Sequence, residues 1–368
     1  MKGQWIGKYG GSVEGALMVN IDELSDHYEA EAYIIPIDKK IPSSVAYLGT
    51  ENKINKQKIK AFLNAVDPRN GLQCKWEEIK DLYEDNVSHS NTADLSLELV
   101  DGKLHINAVS DIGLTLQSIL TKPEQTKDSK IPGKEMLWDD FKKYISAFSN
   151  KPSLYRGQKK PWRLRTSFHR RGRYRISKFL ERDVKQLHQK LSAITPHYFD
   201  LSIPDQNGAF ISLLQHHGYP TPLLDWTYSP YVAAFFAFRD WPINNIEEEG
   251  KARIYIFDNE GWQRRYPQIQ NANPTFPHLS VMGFIAINNP RLVPQQSVTT
   301  VTNIDDIEAY LLEKEKESGI KYLQAIDIPA NEREKVMHDL RFMGIAAGSM
   351  FPSIDGVCEE LRERNFNE

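Results

Sequence analysis

Leu95-Ser96-Leu97-Glu98-Leu99-Val100-Asp101-Gly102-Lys103-Leu104-His105-Ile106-Asn107-Ala108 alternates apolar and polar residues on both sides of an Asp-Gly pair. In an extended chain Leu95, Leu97 and Leu99 share one face, and Leu104, Ile106 and Ala108 share one face of the next run. An Asp-Gly pair between such runs predicts a β-hairpin, because both central residues of its tight turn take positive φ. Similar runs at Ala16 to Ile21, Glu29 to Ile35 and Val45 to Leu48 are separated by short polar turns. Together they predict a small antiparallel sandwich or barrel. A helix is predicted to interrupt it at Lys56 to Val66, where Ile59, Phe62, Leu63 and Val66 fall on one helical face. Trp5, Tyr28 and Trp76 read as core or rim aromatics.

The chain has 368 residues, 40% of them hydrophobic and 26% charged, with a formal net charge of -3. That length accommodates two domains, and the composition is that of an ordinary globular protein. The balanced charge argues against a general nucleic-acid binder, since such domains are basic overall. There is no run of about 18 apolar residues, and the start Met1-Lys2-Gly3-Gln4-Trp5 lacks the apolar core of a secretory signal, so the expectation is a cytoplasmic protein with no membrane segment. Cys74 and Cys358 have no ligand-type spacing and predict neither a zinc site nor a disulfide scaffold.

Thr121 to Lys130 is almost devoid of apolar residues and reads as a connector. The predicted organisation is a β-rich domain over 1–120, with a sensing or partner-binding role, a linker over 121–135 and a second domain over 136–368. Helices are predicted at Trp138 to Phe148, Lys178 to Leu191 and Asp205 to His217. A further helix follows Ser229-Pro230, a capping residue with proline in the first turn. Strands are predicted at Leu154 to Gly157, Arg253 to Asp258, Phe284 to Ile287, Gln296 to Val301 and Tyr322 to Ile328, and final helices at Asn331 to Met343 and Gly356 to Arg364. Asp355-Gly356 reads as a turn. Without a regular βαβ rhythm the fold class is α+β.

Residues 155 to 175 carry nine Lys or Arg and no Asp or Glu. Concentrating charge in this way points to an anion site, with a solvated face as the alternative. Trp162, Phe168, His169 and Tyr174 are interleaved with the cations, a pattern that suits stacking against nucleotides.

Tyr155-Arg156-Gly157-Gln158, followed by Gln215-His216-His217-Gly218-Tyr219-Pro220-Thr221, Leu223-Leu224-Asp225-Trp226-Thr227 and Ala233-Ala234-Phe235-Phe236-Ala237, resembles the FRG family, named for its aromatic-Arg-Gly opening. The resemblance runs on through Pro290 to Gln296 and Phe351 to Gly356, covering roughly 136 to 360. The amino-terminal Gly3 to Tyr9 looks, more loosely, like a β-domain that precedes some members. The order of parts is similar to an ADP-ribosyltransferase core, and this resemblance implies NAD as substrate. It assigns Arg156 to the NAD diphosphate, a task that suits a planar, permanently charged guanidinium. It also assigns Tyr155, Gly157, Gln158, Trp226 and Thr227 to cofactor binding, with Tyr155 and Trp226 stacking on nicotinamide or adenine. His216 or His217 is a further contact.

Departure of nicotinamide leaves a cationic ribosyl centre that a carboxylate stabilises. Where many transferases place a late-strand glutamate, this chain has Gln295-Gln296-Ser297. A glutamine orients a hydroxyl without balancing charge, so Asp225, Gln296 and His216 are the catalytic candidates. The acceptor is a protein or nucleic acid, and a bacterial toxin or phage-defence effector is the setting the resemblance implies. The alternative is a non-catalytic nucleotide- or RNA-binding module. Nuclease or hydrolase chemistry on His216 and Asp225 is a third reading, without a metal-ligand cluster to support it.

The same residues have structural readings. Arg156 could pair with Asp225 to fix the sheet, Asp225 could cap the turn before the Ser229 helix, and His216 and His217 could pack at a helix end. Trp226 and Ala233 to Phe238 have the composition of a core.

Overall fold

The computed structural model describes residues 1–123, 126–147, 152–241 and 250–366. Nine strands form the amino-terminal sheet: β1 (Gly3–Gly11), β2 (Gly15–Glu23), β3 (Tyr28–Pro36), β4 (Ser44–Gly49), β5 (Lys56–Val66), the two-residue β6 (Gln73–Cys74), β7 (Thr92–Val100), β8 (Lys103–Ser110) and β9 (Thr115–Leu120). All pairings are antiparallel, and β4 pairs with β5 while β9 pairs with β1. Eight strands therefore close into a barrel, with β6 appended to β5. The predicted hairpin joins β7 and β8 through Asp101 at φ 49° and Gly102 at φ 73°. Of the two open architectures, the chain adopts the barrel.

Lys56–Val66 is a strand, not the predicted helix. Gln57, Ile59, Ala61, Leu63 and Ala65 also satisfy a period of two. Their inward face joins the barrel, and Phe62 points outward at 65% exposure. In a run with so many apolar positions both periods fit locally, and only the open edges of β4 and β7 decide between them. Trp5 and Tyr28 are buried within the barrel cluster. Trp76 is half-buried and stacks on His89.

The second half is built on a seven-stranded sheet. Its strands are β10 (Gly133–Glu135), β11 (Ser153–Gln158), β12 (Leu223–Thr227), β13 (Lys251–Asp258), β14 (Leu279–Met282), β15 (Ser297–Thr302) and β16 (Leu323–Pro329), in the order β10-β16-β13-β11-β12-β15-β14. Only β10 with β16 is parallel, and helices pack around the sheet, so the class is α+β. Strand β13 shows how it divides two cores. Ala252, Ile254 and Ile256 face the helices Trp138–Ala147, Pro230–Phe238 and Arg333–Phe342. Tyr255 and Phe257 face Leu154, Trp226, Trp262 and Ile307.

Most predicted elements appear with shifted ends. Residue 148, the predicted end of the first helix, lies outside the described residues. The 178–191 helix begins at Ile176 and contains a π-type segment, Phe179–Val184. Phe284 to Ile287 is not a strand; the edge strand is Leu279–Met282, just before it. Asp355-Gly356 is not a turn but lies in the helix Ile354–Phe366. Gly356 allows that helix to meet the Phe351 carbonyl, 2.0 Å from where a Cβ would stand.

The two halves are firmly joined. The outer face of β2 to β4 sets Met18, Tyr33 and Val45 against Ile304. Gln4 donates to Asn303 O at 2.7 Å and accepts from Asp305 N at 2.9 Å. The connector is also held: Thr121 bridges Ile6, and Asp128 bridges Trp162. None of the described helices is long and apolar enough to cross a membrane. Both cysteines are free, Cys74 half-buried and Cys358 exposed.

Candidate functional site

Strands β11 and β12 share a single register pair, Tyr155 with Thr227, and then part. On their other sides both remain fully laddered, to β13 and β15. The sheet is thus open between Arg156 and Gln158 on one side and Asp225 on the other. A cleft of about 380 Å³ fills the opening, within the range of small-molecule sites. Its lining includes eight of the nine proposed site residues: Tyr155, Arg156, Gly157, Gln158, His216, Asp225, Trp226 and Thr227.

Arg156 lies at the parting. Its Nη1 donates to the backbone carbonyl of Asp225 at 2.6 Å, satisfying an oxygen that a continuous ladder would have paired. Its Nε is buried without an acceptor. Among the described residues no carboxylate lies within ion-pair distance of it, so the predicted alternative, an Arg156–Asp225 ion pair, is replaced by this backbone bond. Burial, with Arg170 nearby and only partial relief from Asp225, pushes the guanidinium down to about 10. A half-buried cation with a buried donor unpaired is costly unless an anion joins it.

Gly157 is a glycine because of its neighbour in the fold. A Cβ there would stand 1.7 Å from the Ala233 carbonyl, so the helix Pro230–Phe238 rests directly on β11. That helix begins as its sequence predicts: Ser229 Oγ accepts from Val232 N at 3.2 Å, which leaves Asp225 out of the capping role.

Several candidates have their polar atoms engaged by the fold. Gln158 Nε2 donates to Trp162 O, Trp226 Nε1 to Thr300 Oγ1, and Thr227 Oγ1 to Gln295 O. Tyr155 is buried, which raises its phenol. His216 makes a 2.8 Å contact to Ser212 O through Nδ1, and His217, beyond the helix end, is exposed and outside the lining. The Asp225 carboxylate has no hydrogen-bond or ion-pair partner among the described residues. Arg156 and Asp225 therefore bring unused capacity of opposite sign to one cleft.

Gln296 is the exception. It lies in the turn before β15, at φ 45°, exposed and outside the cleft, because the strand predicted from Gln296 begins at Ser297. Gln295 lines the cleft, but its amide donates to Met350 O at 2.9 Å.

The basic run divides: Arg156, Lys159 and Arg170 line the cleft, whereas four other cations are paired with acids. Arg163 forms a bidentate pair with Asp306 at 2.7 and 2.9 Å, Arg165 pairs with Asp305, Arg173 with Asp183, and Arg175 with Glu29 of the barrel. Phe168, His169 and Tyr174 are buried and lie outside the cleft lining. Cations in the run meet acids supplied from distant sequence, which local charge counting does not see.

Trp162, Lys159 and Arg170 of the basic run also line the cleft, and sequence reasoning gave no site role to Phe236, Asp240, Arg291 and Phe351, which line it as well. Phe351 is flanked by Arg239 at 4.2 Å and Arg291 at 5.3 Å from its ring centre. The stretches Pro290 to Gln296 and Phe351 to Gly356, quoted for the resemblance, were the available signal for Arg291 and Phe351.

Residues 151–245 match the FRG domain model. The FRG match takes in β11, β12 and the helix Pro230–Phe238, and so both strands that open the cleft. Arg291, Ser297 and Phe351 complete the wall from beyond it. The match is narrower than the 136 to 360 of the motif resemblance, and the barrel lies wholly outside it. No curated protein matches the chain.

Proposed function

We propose that the cleft binds NAD and that the FRG half of the chain, with an ADP-ribosyltransferase-like core, transfers or hydrolyses its ADP-ribose. The observation that carries this reading is Arg156: a guanidinium in a parted sheet, with a buried unpaired Nε and no carboxylate within ion-pair distance among the described residues. A diphosphate offers the oxygens that such a planar fork binds best. Arg170 adds positive charge at the same cleft, and half-buried Trp162, Phe236 and Phe351 offer ring faces for nicotinamide or adenine.

In this reading the bond between ribose C1′ and the nicotinamide nitrogen breaks, its electron pair leaves with nicotinamide, and the cationic sugar faces the Asp225 carboxylate. Water or the nucleophile of a protein or nucleic-acid acceptor then adds to C1′ and gives up its proton, with His216 on the same wall to receive it. A cytoplasmic toxin or phage-defence effector is the setting that fits such a reaction.

Incubation of the purified chain with NAD, following free nicotinamide and labelled macromolecules, tests it. Arg156→Ala is expected to abolish binding and turnover, and Asp225→Asn to keep binding while stopping turnover. Turnover retained in Arg156→Ala overturns the proposal.

One observation favours a second reading, a nucleotide- or RNA-binding module without turnover: the late strand brings no carboxylate, since Gln296 is turned away and β15 contributes Ser297. It predicts NAD or RNA binding without nicotinamide release, and for RNA a steep loss of affinity with salt.

A further inference from the structure

The helix Pro204–His216 has a cavity at each end. His216 lines the cleft, whereas Asn207 and Gly208, near the amino end, line a second cavity of about 400 Å³. Its floor is apolar, from Leu180, Ile211, Leu223 and Val301. Phe284 closes one side. A Cβ on Gly208 would stand 2.6 Å from the Phe284 ring, so that ring lies against helix backbone only because residue 208 has no side chain.

Three of the polar lining residues are carboxamides, beside Ser202 and Asp205. Asn207 Nδ2 donates to Leu201 O at 3.0 Å, but its Oδ1 is buried with no donor. Gln270 and Asn271 add two more carboxamides. Among the described residues no Lys, Arg or His lines the cavity, and the one ionisable group there is Asp205.

We propose that this second cavity binds a neutral nucleoside through its base. Carboxamides present a donor and an acceptor side by side, which matches the edge of a nucleobase. The buried Oδ1 of Asn207 lacks the N–H that a base supplies, and a buried acceptor left unpaired is the kind of vacancy a ligand fills. The apolar floor and the Phe284 ring suit the faces of a flat heterocycle. With one carboxylate and no cation, the site disfavours phosphate, which separates it from the arginine-bearing cleft. The proposal stands independently of the NAD reading.

Calorimetric titration of the full chain with adenosine, guanosine, cytidine, uridine and AMP tests it. At least one nucleoside is expected to bind saturably, with AMP weaker than adenosine if adenosine is that nucleoside. Asn207→Ala is expected to weaken binding about tenfold. Gly283→Leu should block the cavity while keeping the fold, because a Cβ there meets nothing within 4 Å. Arg156→Ala should leave nucleoside binding unchanged. If Gly283→Leu fails to give a native circular dichroism spectrum, the Asn207→Ala titration decides. The proposal is overturned if no nucleoside binds at about 1 mM, if both cavity variants bind as wild type, or if Arg156→Ala removes binding, which would put the nucleoside in the cleft.

Discussion

In the amino-terminal barrel each of the eight closing strands has a neighbour on both sides, whereas in the second sheet β11 and β12 meet at one residue pair and part. Closure lets the barrel bury alternate residues of every strand against one another and leaves no unpaired edge. The parted sheet leaves a carbonyl for Arg156 to satisfy and a space beside it. A stable scaffold and a reactive opening thus come from the same ladder chemistry, complete in one region and interrupted in the other.

The largest expected effect breaks the parted sheet. Gly157→Ala would drive a methyl into the Ala233 carbonyl and is expected to cost about 3 kcal/mol. The barrel control Gly49→Ala, where a Cβ meets nothing within 4 Å, should be close to neutral. Urea midpoints of the two variants make the comparison; equal midpoints would remove the close helix–strand approach.

Next, Arg156→Met separates function from stability. The substitution removes a poorly solvated cation but also the bond to the Asp225 carbonyl, so the net change in stability should stay within about 1 kcal/mol. NAD affinity should fall by about 2 kcal/mol or more, roughly 30-fold. A large loss of stability would instead mean that the guanidinium serves the sheet.

A smaller effect is pH-dependent. His169 is fully buried in the second half, and burial, then the positive charge of Arg165, pushes its imidazole down to about 3. The unfolded imidazole titrates near 6.5. Below that pH the unfolded chain takes a proton that the folded chain refuses, so this contribution to stability is present at neutral pH and declines on acidification. Any cost of His169→Gln should shrink by about 1 kcal/mol between pH 6.5 and 5.5, read from urea titrations at both. A cost that does not change with pH would show that the folded ring takes up its proton as readily as the unfolded one.

The smallest effect sharpens the barrel side. Phe62→Ser, on the outward face of β5, should change stability by less than about 0.5 kcal/mol. A buried helical face at the same residue would make it cost about 3 kcal/mol or more.

Much of the barrel was legible because hairpin chemistry is local: Asp101-Gly102 and the alternating leucines specify their own geometry. The cleft was partly legible. Tyr155 to Gln158 and Asp225 to Thr227 were marked by motif, and the fold brings them together across the parted strands. Lys56–Val66 was misread because its apolar residues fit two periods, and the choice belongs to the edges that it pairs. The pairing of Arg163, Arg165, Arg173 and Arg175 was not legible because their counter-charges, Asp306, Asp305, Asp183 and Glu29, lie outside the basic run.

The sequence by itself determined the β-hairpins, the α+β class and the cluster of residues around an aromatic-Arg-Gly opening, since turn conformation, periodicity and capping act over a few neighbours. Tertiary structure alone decided that the barrel closes, which arginines meet acids, that Gly157 serves a helix contact, and that Arg156 is left with an unpaired Nε in an open sheet. Those outcomes depend on which distant groups exclude water from one another, and pairings over such separations are fixed only when the whole chain is packed.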